Sequence, residues 1–197
     1  KQIGKNYDAF MRTVDDLQAL LPAHVTFDPK MVLDLIKEFA STWVSLDAYD
    51  SGTLTVTGAS KKRVALTSHE LMHAIADLKT TLMDAGEATD LFASERRAGT
   101  VEGIVGNVMQ SFGGKAVYPT VEEKAAHLLY FMVKNHPFTD GNKRSGAFAF
   151  VWLLRKTSVR GRANINPVAL TALTLLIAES DPKQKEQMVA LVTQMLR

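Results

Sequence analysis

The stretch Ala147-Phe-Ala-Phe-Val-Trp-Leu-Leu154 is apolar on every side of a helix, which leaves the rest of the chain little freedom. A helix of that kind has to be enclosed by other elements, so the pattern predicts a helix at the centre of a bundle. Before it stands Gly141-Asn-Lys-Arg144, and before that a run from Val121 to Val133 with Val121, Ala125, Leu128, Leu129 and Met132 at helical spacing. Pro137 stops that run, because the residue before a proline avoids the αR region. His136 is therefore expected at the end of one helix and Gly141 to Arg144 at the start of the next.

That juxtaposition has chemical content. The first turn of a helix carries unpaired N–H groups and a partial positive charge, so Gly141, Asn142, Lys143 and Arg144 make an anion cradle, with Gly141 permitting close approach. Beside it stand His136, an imidazole able to take a proton near neutral pH, and Asp140, a carboxylate able to hold Mg²⁺ against phosphate oxygens. Phosphate is the expected guest, and phosphoryl or nucleotidyl transfer the expected chemistry. Arg155 and Lys156 close the apolar run at the helix C-terminus, where cations are favoured.

The remaining pattern is helical. Apolar residues recur every three or four positions from Tyr7 to Leu21 and from Val32 to Leu46, the second run opening on Asp28-Pro29 as cap and first helical residue. They predict a helical hairpin extension over residues 1–60, preceding a core over 61–197. Thr53-Leu-Thr-Val-Thr57 alternates, but one strand makes no sheet, and it reads as an extended loop. Thr67-Ser-His-Glu70 and Thr120-Val-Glu-Glu123 have the form of capping boxes. The first opens a helix with Leu71, Ile75, Leu78 and Leu82 on one face and Gly86 past its end. Val101, Ile104, Val105, Val108 and Phe112 predict a helix over 100–112 that Gly113-Gly114 terminates. Asn166-Pro167 and Asp181-Pro182 predict two more helix starts, and the fold class expected is all-α.

Composition narrows the compartment and the partners. The 197 residues contain no cysteine and carry a formal net charge of +2. Disulfides, thiolate zinc sites and a cysteine nucleophile are excluded, a cytoplasmic setting is expected, and no basic block argues for nucleic acid. No apolar run approaches the roughly eighteen residues that would suggest a membrane span.

One motif points elsewhere. His69-Glu70-Leu71-Met72-His73 is an H-E-x-x-H match, which would set two imidazoles on one helix face for zinc with Glu70 as general base. Glu87 and Glu95 are the downstream carboxylates available as a third ligand. Ala76 and Lys79 stand where the metzincin extension has glycine and histidine. A zinc metallopeptidase is the rival reading, against which Glu70 is accounted for as a capping residue.

The run His136-x-Phe138-x-Asp140-Gly141-Asn142-Lys143-Arg144 resembles the signature of the Fic/Doc (Fido) family, H-x-F-x-[D/E]-G-N-[G/K]-R, at seven specified positions in nine. Its flanks from about Thr100 to Arg155 resemble the Fic regions of RhuM-type virulence-associated proteins. The resemblance implies a Fic-like helical bundle in which His136 is the general base toward a hydroxyl of a target protein. It further implies ATP as donor, Asp140 as Mg²⁺ ligand and Gly141, Asn142, Lys143 and Arg144 as phosphate-binding residues. Phe138 would bury its ring and fix the loop. Lys115, Ala116, Val117 and Tyr118 would belong to a flap that aligns the target, a form of strand addition. An antitoxin partner and self-association stay open, as does a catalytically silent nucleotide- or partner-binding domain. The chain departs from the adenylyl-transferring pattern at Lys143, in place of a second glycine, and at Ala147, in place of a second arginine. Lys143 in that position resembles the Doc toxins, which transfer phosphate. Of the inhibitory motif of many family members, Ala98 to Gly103 keeps only Glu102 and Gly103.

Overall fold

The computed structural model describes residues 64–157 and 167–196. The expected helical hairpin, the run Thr53–Thr57 and the boundary near residue 60 lie outside them. The described residues up to Thr157 fall in one compact unit and those from Pro167 onward in another. The fold is all-α, relieved among the described residues by one two-stranded hairpin.

Helix α1 (Ser68–Asp84) starts where the side-chain chemistry demands it. Thr67 Oγ1 accepts the Glu70 N–H at 3.2 Å while Glu70 Oε2 accepts the Thr67 N–H at 3.3 Å, which satisfies two of the orphan donors at the helix start. Leu71 and Ile75 are buried and Leu78 and Leu82 half-buried, and Gly86 takes up the left-handed turn after the helix. Helix α2 (Thr100–Met109) buries Val101, Ile104, Val105 and Val108. It ends three residues earlier than its apolar spacing predicts. Gln110 turns extended at φ −59° and ψ 149°, so Phe112 lies in strand β1 (Ser111–Phe112) instead of on the helix. Strand β2 (Lys115–Ala116) returns antiparallel through Gly113 and Gly114, with Phe112 opposite Lys115. Both glycines have positive φ, 58° and 76°, the requirement of the two-residue turn whose twist matches a hairpin.

Helix α3 (Val121–Lys134) opens with the second capping box, and it is this helix that is enclosed. Every residue from Thr120 to Tyr130 is buried, Glu122, Glu123, Lys124 and His127 included. Its polar groups tolerate that because they have partners. The Glu123 carboxylate accepts from the Thr120 N–H and hydroxyl, the Lys124 ammonium donates to the Tyr118 carbonyl, and His127 Nδ1 lies 2.8 Å from the Glu123 carbonyl. Helix α4 (Asn142–Lys156) packs along α3, their contact being the most extensive between helices, while α2 lies on α3 and α1 touches α2 and α4. The expectation that α4 is enclosed on all sides needs correction. Asn142, Ser145, Gly146, Ala149, Phe150, Leu153 and Leu154 are buried, whereas Ala147, Phe148, Val151 and Trp152 are half-buried. Gly146 lets the two helices close up, since a Cβ there would stand 3.0 Å from Val133 Cγ2 and 3.3 Å from Met132 Cβ. Lys156 is not a free cation at the helix end. Its ammonium pairs with Glu70 at 2.6 Å and lies 5.2 Å from the Trp152 ring, joining the ends of α1 and α4.

In the other unit, α5 (Pro167–Glu179) buries Leu170, Leu173, Leu176 and Ile177. Asp181 then caps a 3₁₀ turn with Pro182 at its start, and α6 (Lys185–Met195) buries Met188, Val189, Leu191 and Val192. Among the described residues no helix is long and apolar enough to cross a membrane.

Because the Thr120 hydroxyl and the Glu123 carboxylate are buried together, Thr120→Ala removes a cap and leaves an acceptor short of a donor. Chemical denaturation should show a loss of about 1–2 kcal/mol. Thr67→Ala, at an exposed cap, should lose less.

Candidate functional site

The site is the turn between α3 and α4. Asn135 closes α3, its N–H donating to the Phe131 carbonyl at 2.9 Å, and His136 then reverses the chain with φ 45°. This left-handed region ordinarily belongs to glycine after a helix and costs a side-chain-bearing residue about 1–2 kcal/mol. The imidazole is exposed at the corner. Phe138, two residues on, is fully buried as expected of a residue that fixes the loop.

Asn142 closes the turn on itself. Its carboxamide oxygen accepts the Phe138 N–H at 2.8 Å and its amide nitrogen donates to the Phe138 carbonyl at 2.8 Å. The side chain is thereby engaged inside the loop, which leaves the backbone N–H as the donor Asn142 could offer a ligand. Ser145 makes the first intrahelical bond of α4, to the Gly141 carbonyl at 2.8 Å, so the N–H groups of Asn142, Lys143 and Arg144 precede the hydrogen-bond ladder. Lys143 is exposed, and its ammonium has no ion pair or hydrogen bond among the described residues.

A second segment, which the sequence reading did not single out, holds this turn in place. Residues 92–96 run beside residues 137–140 and exchange backbone bonds with them. The Arg96 N–H donates to the Pro137 carbonyl at 2.9 Å, the Thr139 N–H to Ser94 at 2.8 Å and the Ala93 N–H to Asp140 at 3.0 Å. Glu95 faces Phe138 antiparallel, and Phe92 faces Asp140 parallel. Phe92 is fully buried, and its ring fills the space a Cβ on residue 141 would need. Gly141 also has φ 78°, so glycine is required there twice over, on internal grounds. The Lys79 ammonium, reaching from α1 to the Asp90 carbonyl, ties this segment to the bundle.

Arg144 lies across Phe92, its guanidinium carbon 4.7 Å from the ring centroid, and donates to the Glu87 carbonyl at 2.9 Å. Its other terminal nitrogen stands 3.9 Å from Asp140 Oδ2. Asp140 Oδ1 accepts the Gly141 N–H at 2.6 Å, and the carboxylate is about half exposed. One exposed carboxylate beside a helix N-terminus that carries Lys143 and Arg144 fits Mg²⁺, which takes one or two carboxylates and leaves its other positions to phosphate oxygens and water.

The residues expected in a flap divide. Lys115 and Ala116 lie in β2, and Val117 is exposed after it. Tyr118 folds back and stacks on His127 with ring centroids 3.6 Å apart, its carbonyl held by Lys124. Burial pushes the Lys124 ammonium below the usual lysine range, partly offset by Glu123. Phe112 on the partner strand is 87% exposed.

Two of the H-E-x-x-H residues have other partners. Hydrogen bonds from Lys156 and then Thr67 hold the Glu70 carboxyl below its ordinary range. His73 Nδ1 is 3.3 Å from Asp77, and His69 is exposed. Glu95, considered above as a third ligand, accepts the Val101 N–H at 2.8 Å and so caps α2, whose N-cap Gly99 has no side chain to do so. Among the described residues no three His, Asp or Glu side chains converge.

Residues 63–154 match the model of the Fic/DOC family. The matched region takes in the helices α1 to α3, the hairpin, the turn with His136 and most of α4. The match is to the family at large and gives no support to the narrower likeness to RhuM-type proteins. No curated protein and no solved structure matches the chain.

Two substitutions test the geometry of the turn. Gly141→Ala meets both the left-handed backbone and the Phe92 ring and should destabilise by about 2–4 kcal/mol. His136→Gly should unfold at higher denaturant than His136→Ala, by about 1 kcal/mol, since only the former relieves the backbone.

Proposed function

We propose that the unit holding residues 64–157 is a Fic/Doc-type transferase that moves part of ATP, phosphate in preference to AMP, onto a serine, threonine or tyrosine hydroxyl of a target protein. The observation that carries this reading is one turn holding His136 in a left-handed corner at the end of α3 and, six residues later, the N-terminus of α4 with Lys143 and Arg144. A base and an anion cradle on two packed helices can face a single reacting phosphorus.

In the step proposed, the target hydroxyl oxygen attacks the γ-phosphorus of ATP as the bond to the β–γ bridging oxygen breaks. The hydroxyl proton passes to an imidazole nitrogen of His136, and ADP leaves. General-base help of this kind is worth about 10²–10⁴ in rate. The α4 N–H groups, Lys143 and Arg144 hold the phosphate oxygens where charge gathers in a loose transition state. Asp140 would hold Mg²⁺, which when bound neutralises phosphate charge. The preference for phosphate rests on Lys143 and Ala147. Adenylyl transfer would put the α-phosphate at the base, with β and γ deeper, where Lys143 adds bulk and Ala147 offers no charge. The family match supports the broad class, and the finer assignment is the one under test.

Incubation with Mg²⁺ and ATP labelled at either the α or the γ position, in the presence of host lysate, checks the assignment. Label reaching protein from the γ position only, and none with His136→Ala, is the expected result. Transfer from the α position with a mass gain of one AMP would replace phosphate by AMP. ATP binding with no transfer from either label would leave a silent nucleotide-binding domain. Arg144→Ala should weaken ATP binding about tenfold or more, because it removes a charge-assisted bond to phosphate, whereas His136→Ala should leave binding nearly intact.

A further inference from the structure

We infer that Phe92 is a positioning residue of the anion cradle, forming with the Glu87 carbonyl a clasp that presents the Arg144 guanidinium to a phosphate of the donor nucleotide. The inference rests on the transferase reading above and assigns it a residue outside the signature. Arg144 is a long, half-exposed side chain on the first turn of α4. Left alone it would sample many rotamers, and each binding event would have to restrict them. Here two contacts from a segment more than fifty residues upstream restrict it beforehand. The Phe92 ring lies under the guanidinium at 4.7 Å, and the Glu87 carbonyl takes one of its N–H groups at 2.9 Å. A guanidinium has five N–H donors, so the clasp leaves donors for phosphate oxygens.

Phe92 can do this because it is itself immobilised. Its side chain is fully buried, its N–H donates to the Thr89 carbonyl at 3.0 Å, and it pairs with Asp140. The same ring excludes any Cβ at Gly141. One side chain therefore sets both the left-handed entry to α4 and the bearing of its arginine. Of these two contacts, the one with Arg144 is the one proposed to reach a ligand.

Calorimetric titration of Mg-ATP into wild type, Phe92→Leu, Phe92→Tyr, Arg144→Ala and the Phe92→Leu/Arg144→Ala pair, each first checked by thermal unfolding, tests the inference. Losing the aromatic face should raise the dissociation constant about two- to fivefold in Phe92→Leu. Phe92→Tyr, which keeps the ring, should bind like wild type. The double variant should bind no more weakly than Arg144→Ala, whereas losses that add would show Phe92 acting independently of Arg144 and overturn the clasp. A nuclear magnetic resonance measurement on the wild type needs neither nucleotide nor a substitution at 92. The Arg144 Nε–H signal, assigned by its disappearance in Arg144→Ala, should be moved upfield by the ring current, and an unshifted signal overturns the clasp even if Phe92→Leu does not fold. A shifted signal in protein that binds no Mg-ATP overturns the transferase reading instead, and with it the ligand assigned to the clasp.

Discussion

The site depends on the backbone pairing between residues 92–96 and 137–140. A loop between two helices has many conformations, and conformational entropy of about 1–2 kcal/mol per residue opposes choosing one. The bonds from Ala93, Arg96 and Thr139 leave this loop one conformation, and the Phe92 ring beside Gly141 excludes bulkier residues at the entry to α4. The partner segment is irregular and needs anchoring of its own, which Lys79 provides from α1. Glu95 extends the same economy by capping α2 from within the segment. A stretch without regular structure thus connects α1, α2 and the α3–α4 turn.

Against that support, the strain at His136 becomes intelligible. A non-glycine residue at φ 45° persists only if its surroundings over-determine it. Phe138 is anchored two residues later, its ring fully buried and both backbone polar groups bound by the Asn142 carboxamide. Asn135 is anchored one residue before through Phe131. His136 must bridge two fixed points, and the left-handed corner turns its imidazole outward. In the function proposed, a base held this way would need little reorganisation when a hydroxyl arrives, which is where preorganised groups gain their advantage.

The parts of this arrangement legible in the sequence are those whose cause is local. Thr67 with Glu70 and Thr120 with Glu123 announce helix starts three residues apart, and both boxes form. Pro137 and Gly141 mark the turn for the same reason. Phe112 misleads because its spacing continues the α2 stripe, yet Gly113 and Gly114 favour a hairpin, and pairing with Lys115 draws it off the helix. The burial of α3 is obscured by Glu122, Glu123, Lys124 and His127, which read as a solvent face until their partners are known. Asn142 sits in the signature with an amide suited to phosphate, and only the folded loop turns that amide back onto Phe138. Phe92 carries no periodic or turn signal at all. Its role arises from contact with residues nearly fifty positions away, and one sequence contains no trace of that pairing.

Helix α3 joins the hairpin to His136. Lys124 and His127, on its first two turns, hold the Tyr118 carbonyl and ring, and so fix the C-terminal leg of the hairpin. His136 follows the other end. At about 1.5 Å per residue, the seven steps from His127 to the last helical residue span about 10 Å. This separation is rigid because α3 is buried through most of its length and close-packed on α4 through Gly146. The hairpin tip is not held in the same way, for its strands are two residues long and Phe112 stands exposed. In the function proposed, a hairpin clamped at one leg and open at its tip could admit an extended segment without changing the distance from that anchor to His136. The buried polar residues of α3 therefore do what apolar ones could not, since a leucine at 124 would fill the same space and leave the Tyr118 carbonyl without its donor, and one at 127 would take away the ring on which Tyr118 stacks.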